Sequence, residues 1–171
     1  RPSAAVVRFD PVMAAQGAVQ RQRARALRVA IRRPDDNFFL EYQPQIDMRT
    51  GSLVAAEALV RWRDAGGRLI PPGDFIPLAS EYRLMNQLGS WILDSACRTA
   101  ALWQPSCPAV IAVNVDTQQL TDEFAAVVSD VLQHRSLDPS HLVIEVTEAA
   151  AMDEHAQREL DRIRALGVDI S

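Results

Sequence analysis

LVAAEALVRW, running from Leu53 to Trp62, alternates with the two-residue period of a β-strand, and two charges interrupt one of its faces. Leu53, Ala55, Glu57, Leu59 and Arg61 share that face, while Val54, Ala56, Ala58, Val60 and Trp62 share an apolar one. Moving an ionised carboxylate out of water costs on the order of several kcal/mol even after relaxation. Glu57, expected to be buried in this strand, therefore needs a cation or a proton.

The surrounding sequence turns this strand into part of a larger pattern. FFLEYQPQID (38–47) reads as a preceding strand, with Arg49-Thr50-Gly51 as a hairpin turn between the two. After the loop DAGGRLIPPGD, a short helix is expected at Phe75 to Ala79 and a long one near Met85 to Trp103, with Leu88, Trp91, Ile92, Ser95, Ala96, Thr99 and Leu102 at helical spacing. Strand VIAVNV, helix Asp122 to Arg135, strand HLVIEV, helix Glu154 to Leu166 and a last strand opening at VDIS follow. Short strands alternating with helices mark parallel α/β architecture. With a hairpin at its start, the pattern suits a modified (β/α)8 barrel, which needs about 250 residues. The chain of 171 residues holds roughly its first half.

Ahead of this region, AAVVRF (4–9) reads as a short strand, with Asp10 as N-cap and Pro11 at the first position of a helix reaching about Arg33. Val12, Val19, Leu27, Ala30 and Ile31 give the helix a thin apolar stripe. The expected organisation is a domain tail at 1–9, a connector helix at 10–37 and the barrel half at 38–171.

Composition narrows the chemistry. Residues 1–33 carry eight Arg against one acid, whereas residues 34–171 carry ten Arg against 21 acids. The basic end lacks interleaved aromatics and reads as a solvated helix, so no nucleic-acid polymer is expected as a partner. All 18 basic residues are Arg. The absence of Lys excludes a Walker-type phosphate loop, Schiff-base chemistry and a catalytic lysine within this sequence. Cys97 and Cys107 form no CxxC pair and read as reduced thiols. No apolar run approaches the ~20 residues a bilayer requires. A cytoplasmic setting is expected, with no membrane contact by this segment.

Parallel strands covered on both faces should be continuously apolar. Here each carries a polar residue near its carboxyl end: Asn114, with Asp116 on the same face, in VIAVNVD, and Glu145, with Glu148 just beyond, in LVIEVTE. In LEYQPQID the face of Glu41, Gln43, Gln45 and Asp47 is polar. Taken singly, each has a structural alternative: Glu57 as partner of Arg61, Asn114 as a strand-end cap, Glu145 paired with an Arg, Glu148 as a helix cap. Together, Glu57, Asn114 and Glu145 place three oxygen donors at the end of the sheet where such folds keep their active sites. Oxygen donors without His or Cys suit Mg²⁺ or Mn²⁺. His134, His141 and His155 do not cluster and read as surface residues.

Tyr42-Gln43-Pro44, the EALVRW segment, FIPLA (75–79), VNVDTQQL (113–120) and IEVTE (144–148) followed by ALGV resemble, in order and spacing, the EAL family of bacterial cyclic di-GMP phosphodiesterases. The resemblance implies a TIM-like barrel of the EAL type and metal-dependent cleavage of cyclic di-GMP to the linear dinucleotide pGpG. It makes Glu57, Asn114 and Glu145 metal ligands, Gln43 and Arg61 metal-side or phosphate contacts, and Leu59 a substrate-side contact. Glu148 becomes the anchor of a loop controlling metal binding and dimerisation, so a homodimer is expected. The chain departs from the family at Asp116, where Ser is usual, and at Arg83, where Gly is usual. The family's pair of Asp and its lysine would follow Ser171, so no complete catalytic set is expected within the chain and the piece alone is expected to be inactive. VVRFDPVM (6–13) is similar to the end of a GGDEF (diguanylate cyclase-like) domain, which implies an adjacent domain of that kind in the parent. A non-catalytic cyclic di-GMP receptor and a dimerisation fragment are the competing readings.

Overall fold

The structure, a computed structural model, describes residues 11–104, 106–107 and 109–171. The expected strand at 4–9 and the cap at Asp10 lie outside the described residues. Helix α1 (Pro11–Ile31) stops before Pro34, within two residues of the expected end at Arg33, and is followed by the four-residue α2 (Pro34–Asn37). Asn37 closes the junction between them, donating to the Arg33 carbonyl at 2.8 Å. Ala24, Leu27, Ala30 and Ile31 are buried, whereas Val19, expected in the apolar stripe, is 50% exposed. Arg23 reaches Asp74 of the next helical layer at 3.5 Å, and Arg28 lies over the Tyr82 ring at 5.4 Å.

Strands β1 (Phe38–Ile46) and β2 (Leu53–Arg63) form the expected antiparallel hairpin. Its turn is set by Asp47, whose carboxylate accepts from the Arg49 and Thr50 amides at 2.7 and 3.2 Å, and by Gly51 at φ 71°. A two-residue strand β3 (Leu69–Ile70), absent from the sequence reading, returns along the end of β2. From there α3 (Pro72–Glu81), longer than expected at both ends, and α4 (Met85–Trp103) lead to β4 (Val110–Asn114), α5 (Phe124–Arg135), β5 (Leu142–Glu145), α6 (Glu148–Ala151), α7 (Glu154–Ala165) and β6 (Asp169–Ile170). Single 3₁₀ turns occupy Thr117–Gln119 and Pro139–His141, and neither these nor α6 were expected.

Among the described residues the sheet order is β1-β2-β4-β5-β6, with β3 antiparallel on β2 and the β2–β4, β4–β5 and β5–β6 pairings parallel. The sheet is open, as a fragment of a TIM-like barrel is. Ala56, Ala58, Val60 and Trp62 face the core beneath α3 and α4, where Trp62 meets Phe75 edge-on at a centroid distance of 5.7 Å. The opposite face of β2 carries the half-buried Glu57, Leu59 and Arg61. In α4, Leu88, Ile92, Ser95 and Ala96 are buried as the spacing predicts, but Leu102 is 76% exposed.

The turn from α3 to α4 explains one departure in the sequence. Leu84 donates its amide to the Ala79 carbonyl at 2.7 Å and Arg83 to the Ser80 carbonyl at 3.1 Å, the bond pattern of a Schellman motif. The motif puts the residue after the helix C-cap Tyr82 in the left-handed region, where Arg83 sits at φ 55°. Glycine adopts that backbone without a steric cost.

Candidate functional site

Register places the site before any side-chain geometry is considered. Glu57 of β2 stands beside Ala112 of β4, and Asn114, two residues on, stands beside Glu145 of β5. Residues two apart share a strand face, so Glu57, Asn114 and Glu145 lie on one face of three consecutive parallel strands; Asn114 and Glu145 end β4 and β5, whereas Glu57, expected at a carboxyl end, sits midway along β2, which continues to Arg63. Gln43 of β1 is directly opposite Glu57 on the same face.

Glu57 is half-buried, not enclosed, and its partner is Asn114, whose Nδ2 donates to Oε1 at 2.6 Å. The expectation of a buried charge in need of a cation or proton is corrected to that extent. The alternative pairing of Glu57 with Arg61 is not formed. Arg61 instead donates Nε to Glu41 Oε2 at 2.7 Å and Nη1 to the Val60 carbonyl at 3.1 Å. Burial, and secondarily the charge of Glu57, pushes the Glu145 carboxyl above the usual carboxylate range.

A cavity of about 390 Å³ opens here, lined by Leu59, Arg61, Asn114, Asp116, Glu145 and Thr147 among others. Gln43 is exposed beyond its lining. Glu148, exposed, begins α6 one residue past Thr147, whose hydroxyl caps that helix by accepting from the Ala150 amide at 3.3 Å. Asp116 has a job the sequence reading missed. It caps the 3₁₀ turn after β4, accepting from the Gln118 amide at 2.8 Å, while Gln119 returns a bond to the Asp116 amide at 3.1 Å. The legible signal was Asp-x-x-Gln, a capping box. Gln119 is 4% exposed and fills the space beside Gly89, where a Cβ would collide with it. The histidines do not join the site. His134 and His155 are exposed, and His141, expected at the surface, is half-buried with an unpartnered Nδ1.

The donor set fits a hard divalent cation. Among the described residues no three of His, Cys, Asp and Glu gather to hold a metal. What gathers is two carboxylates and an amide whose nitrogen is taken by Glu57, leaving Asn114 Oδ1 as its accepting end. Burial first, and the charge of Glu57 second, disfavour the ionised form of Glu145, and a cation bound here would favour it. Among the described residues no helix is long and apolar enough to cross a membrane.

The chain is 39% identical over 168 residues to the bifunctional diguanylate cyclase/cyclic di-GMP phosphodiesterase MucR of Pseudomonas aeruginosa, covering 95% of this chain and 24% of that protein. It is 41% identical over 156 residues to an uncharacterized signaling protein of Caulobacter vibrioides, covering 89% of this chain and 19% of that one. It thus spans about a quarter or less of the length of these curated relatives. The solved cyclic di-GMP complex of the PaMucR phosphodiesterase superposes with a TM-score of 0.80 at 38% identity, over 87% of this chain and 62% of that one. The EAL enzyme Bd1971 superposes at 0.82 over 91% of this chain and 44% of its own, and at 22% identity that likeness speaks for the fold alone. The family model for the EAL domain matches residues 24–171, beginning within α1 and ending at Ser171, and the chain belongs to the EAL domain family.

Proposed function

We propose that the complete parent of this chain hydrolyses cyclic di-GMP to pGpG, with Mg²⁺ or Mn²⁺ held by Glu57, Asn114 and Glu145. The observation that carries this reading is the shared face of those three residues, two of which, Asn114 and Glu145, line one cavity together with Arg61, with Glu57 joined to them through Asn114. A relative's structure described as a cyclic di-GMP complex supports the choice of ligand.

Hydrolysis adds water across one phosphodiester. The water oxygen bonds to phosphorus, the bond from phosphorus to the 3′ oxygen breaks, and that oxygen leaves with a proton as a hydroxyl. The chemistry a divalent cation supplies in such a site is Lewis-acid polarisation of the phosphodiester and activation of water near neutral pH. Arg61 holds non-bridging phosphate oxygens through the N–H groups that Glu41 and Val60 leave free. Leu59 shields the reacting bond with an apolar side chain, and Gln43 offers amide hydrogen bonds opposite Glu57. Three protein oxygens fall short of the roughly six ligands Mg²⁺ takes. Water and substrate oxygens can complete such a shell; that the 171-residue piece alone is inactive is proposed from the family's lysine, which this sequence does not contain.

The parent protein with Mn²⁺ should release pGpG, read by chromatography, and Glu57→Ala should reduce the rate at least 100-fold while weakening metal binding in calorimetry. A well-folded parent that turns nothing over with either ion would overturn the reading. Metal-independent binding without hydrolysis would put the receptor reading in its place. The same proposal extends to the context: a GGDEF-like domain before residue 10, a connector at 10–37, a cytoplasmic homodimer, and Glu148 anchoring the loop that links metal binding to dimerisation.

A further inference from the structure

Arg61 is not held where its own strand alone would leave it. Its direct neighbour across the hairpin is Phe39, and the ring of Phe39 is already covered by the guanidinium of Arg63 at 5.3 Å. Arg61 turns the other way. Its Nε reaches Glu41, which stands opposite Leu59, and this draws the guanidinium back along β2 toward the level of Leu59 and Glu57. A guanidinium carries five N–H groups. Nε–H is taken by Glu41 and one Nη1–H by the Val60 carbonyl, which leaves the Nη2 edge and the second Nη1–H without a partner among the described residues. Arg61 lines the cavity with Asn114 and Glu145, and its side chain is 25% exposed against 54% for Glu41.

The geometry points to Glu41 as the positioning residue for this site: its carboxylate anchors the Nε edge of Arg61 so that the free edge is presented to a phosphate of the bound dinucleotide. This rests on the reading of the cavity as a cyclic di-GMP site. The arrangement is selective, because one acceptor on Nε and one on Nη1 fix the plane of the group while leaving adjacent donors for two phosphate oxygens. Without Glu41 the guanidinium loses the acceptor that fixes its plane beside Leu59 and is free to swing along the face shared with Glu57, four residues back, so the phosphate grip would suffer.

The sign of one measurement separates positioning from simple charge. Glu41 is negative and the ligand is an anion, so through-space repulsion alone makes Glu41→Ala bind cyclic di-GMP more tightly. Positioning makes it bind more weakly, by about three- to fivefold, the size a partly exposed orienting ion pair supports. Glu41→Gln keeps an oxygen acceptor for Nε and removes the charge, so it should bind at least as tightly as the unmodified protein. The experiment is calorimetric titration of cyclic di-GMP into the complete parent protein in EDTA, with KM and kcat measured in Mn²⁺. KM should rise in Glu41→Ala with kcat little changed, and Glu41→Ala should add no loss to Arg61→Ala. Unchanged or tighter binding by Glu41→Ala, or an equal loss in the Arg61→Ala background, overturns the inference alone. An unmodified protein that does not bind the dinucleotide overturns it together with the site reading. Glu41 is half-exposed on an edge strand, so each variant is expected to fold, checked by its denaturation midpoint.

Discussion

Asn114 donates its amide nitrogen to Glu57 at 2.6 Å, a bond between β4 and β2 that puts the two residues in one polar unit beside Glu145. It satisfies one oxygen of a half-buried carboxylate and turns the amide oxygen outward from that bond. In the absence of a cation it is the principal neutral partner holding the cluster together.

Asn114→Asp replaces that donor with a second negative charge against Glu57. Without metal the variant should lose about 2 kcal/mol of stability, the scale of breaking a hydrogen bond to a charged group. The new carboxylate at position 114 would repel Glu57 only when both are ionised, so the loss should be small at low pH and grow as pH rises through the carboxylate range. Mn²⁺ should restore more stability to the variant than to the unmodified protein. Denaturation midpoints at two pH values, with EDTA and with Mn²⁺, check both statements. Equal restoration would argue against a cation in this site.

Arg83→Gly should stabilise the protein by about 0.5 to 1 kcal/mol. A non-glycine residue at φ 55° carries a steric cost of about 1 kcal/mol or more, against which stands the larger chain entropy of glycine in the unfolded state. The Schellman bonds from Leu84 and Arg83 are made by backbone groups and survive the change. A rise in the thermal midpoint is the expected result, and a fall would show that the Arg83 side chain makes a contact worth more than its backbone strain.

Glu159, 1% exposed on α7, accepts from the Ala125 amide at 2.6 Å and from Arg162 at 2.9 Å. It serves as a tertiary cap for α5, whose own N-cap residue Glu123 makes no capping bond. Glu159→Ala strands a helix-end amide and leaves Arg162 only its longer contacts to Asp122, and should cost about 2 to 3 kcal/mol. Glu159→Gln keeps the acceptor and should cost about 1 kcal/mol. Urea denaturation midpoints rank the two.

Burial pushes the Cys97 thiol up to about 12, with Asp94 adding to the shift, so almost no thiolate forms near neutral pH. Cys107 is half-buried. At pH 8 an aromatic disulfide reagent should label Cys107 in the folded protein and reach Cys97 only as fast as the protein unfolds. Rapid labelling of both would mean that α4 opens readily around Cys97.

Much of the architecture was legible because its signals are local. The limits of α4 follow from the spacing of Leu88, Ile92 and Ala96, and the hairpin from Arg49-Thr50-Gly51 flanked by alternating runs, with the Asp47 bonds that set the turn supplied by the structure. Elements too short to carry a period were not: β3 has two residues and α6 has four, and β3 exists because β2 offers it an edge. Val19 and Leu102 were misplaced for a related reason. Helical spacing says which residues share a stripe but not how far along the helix a neighbour extends to cover it.

The candidate site divides the same way. Strand parity in LVAAEALVRW, VIAVNV and LVIEV already placed Glu57, Asn114 and Glu145 on faces that parallel pairing could join, because the direction of a side chain on a strand is set residue by residue. Their partners were decided elsewhere. That Glu57 takes Asn114, that Arg61 takes Glu41 instead of Glu57, and that Asp116 turns to cap its own loop depend on register and on competition among groups brought together from distant parts of the chain. Sequence alone determined the family, the strand faces and the oxygen chemistry of the donors. Tertiary structure decided which charge answers which, since a hydrogen bond needs its atoms within about 3 Å and only the assembled sheet sets distances on that scale.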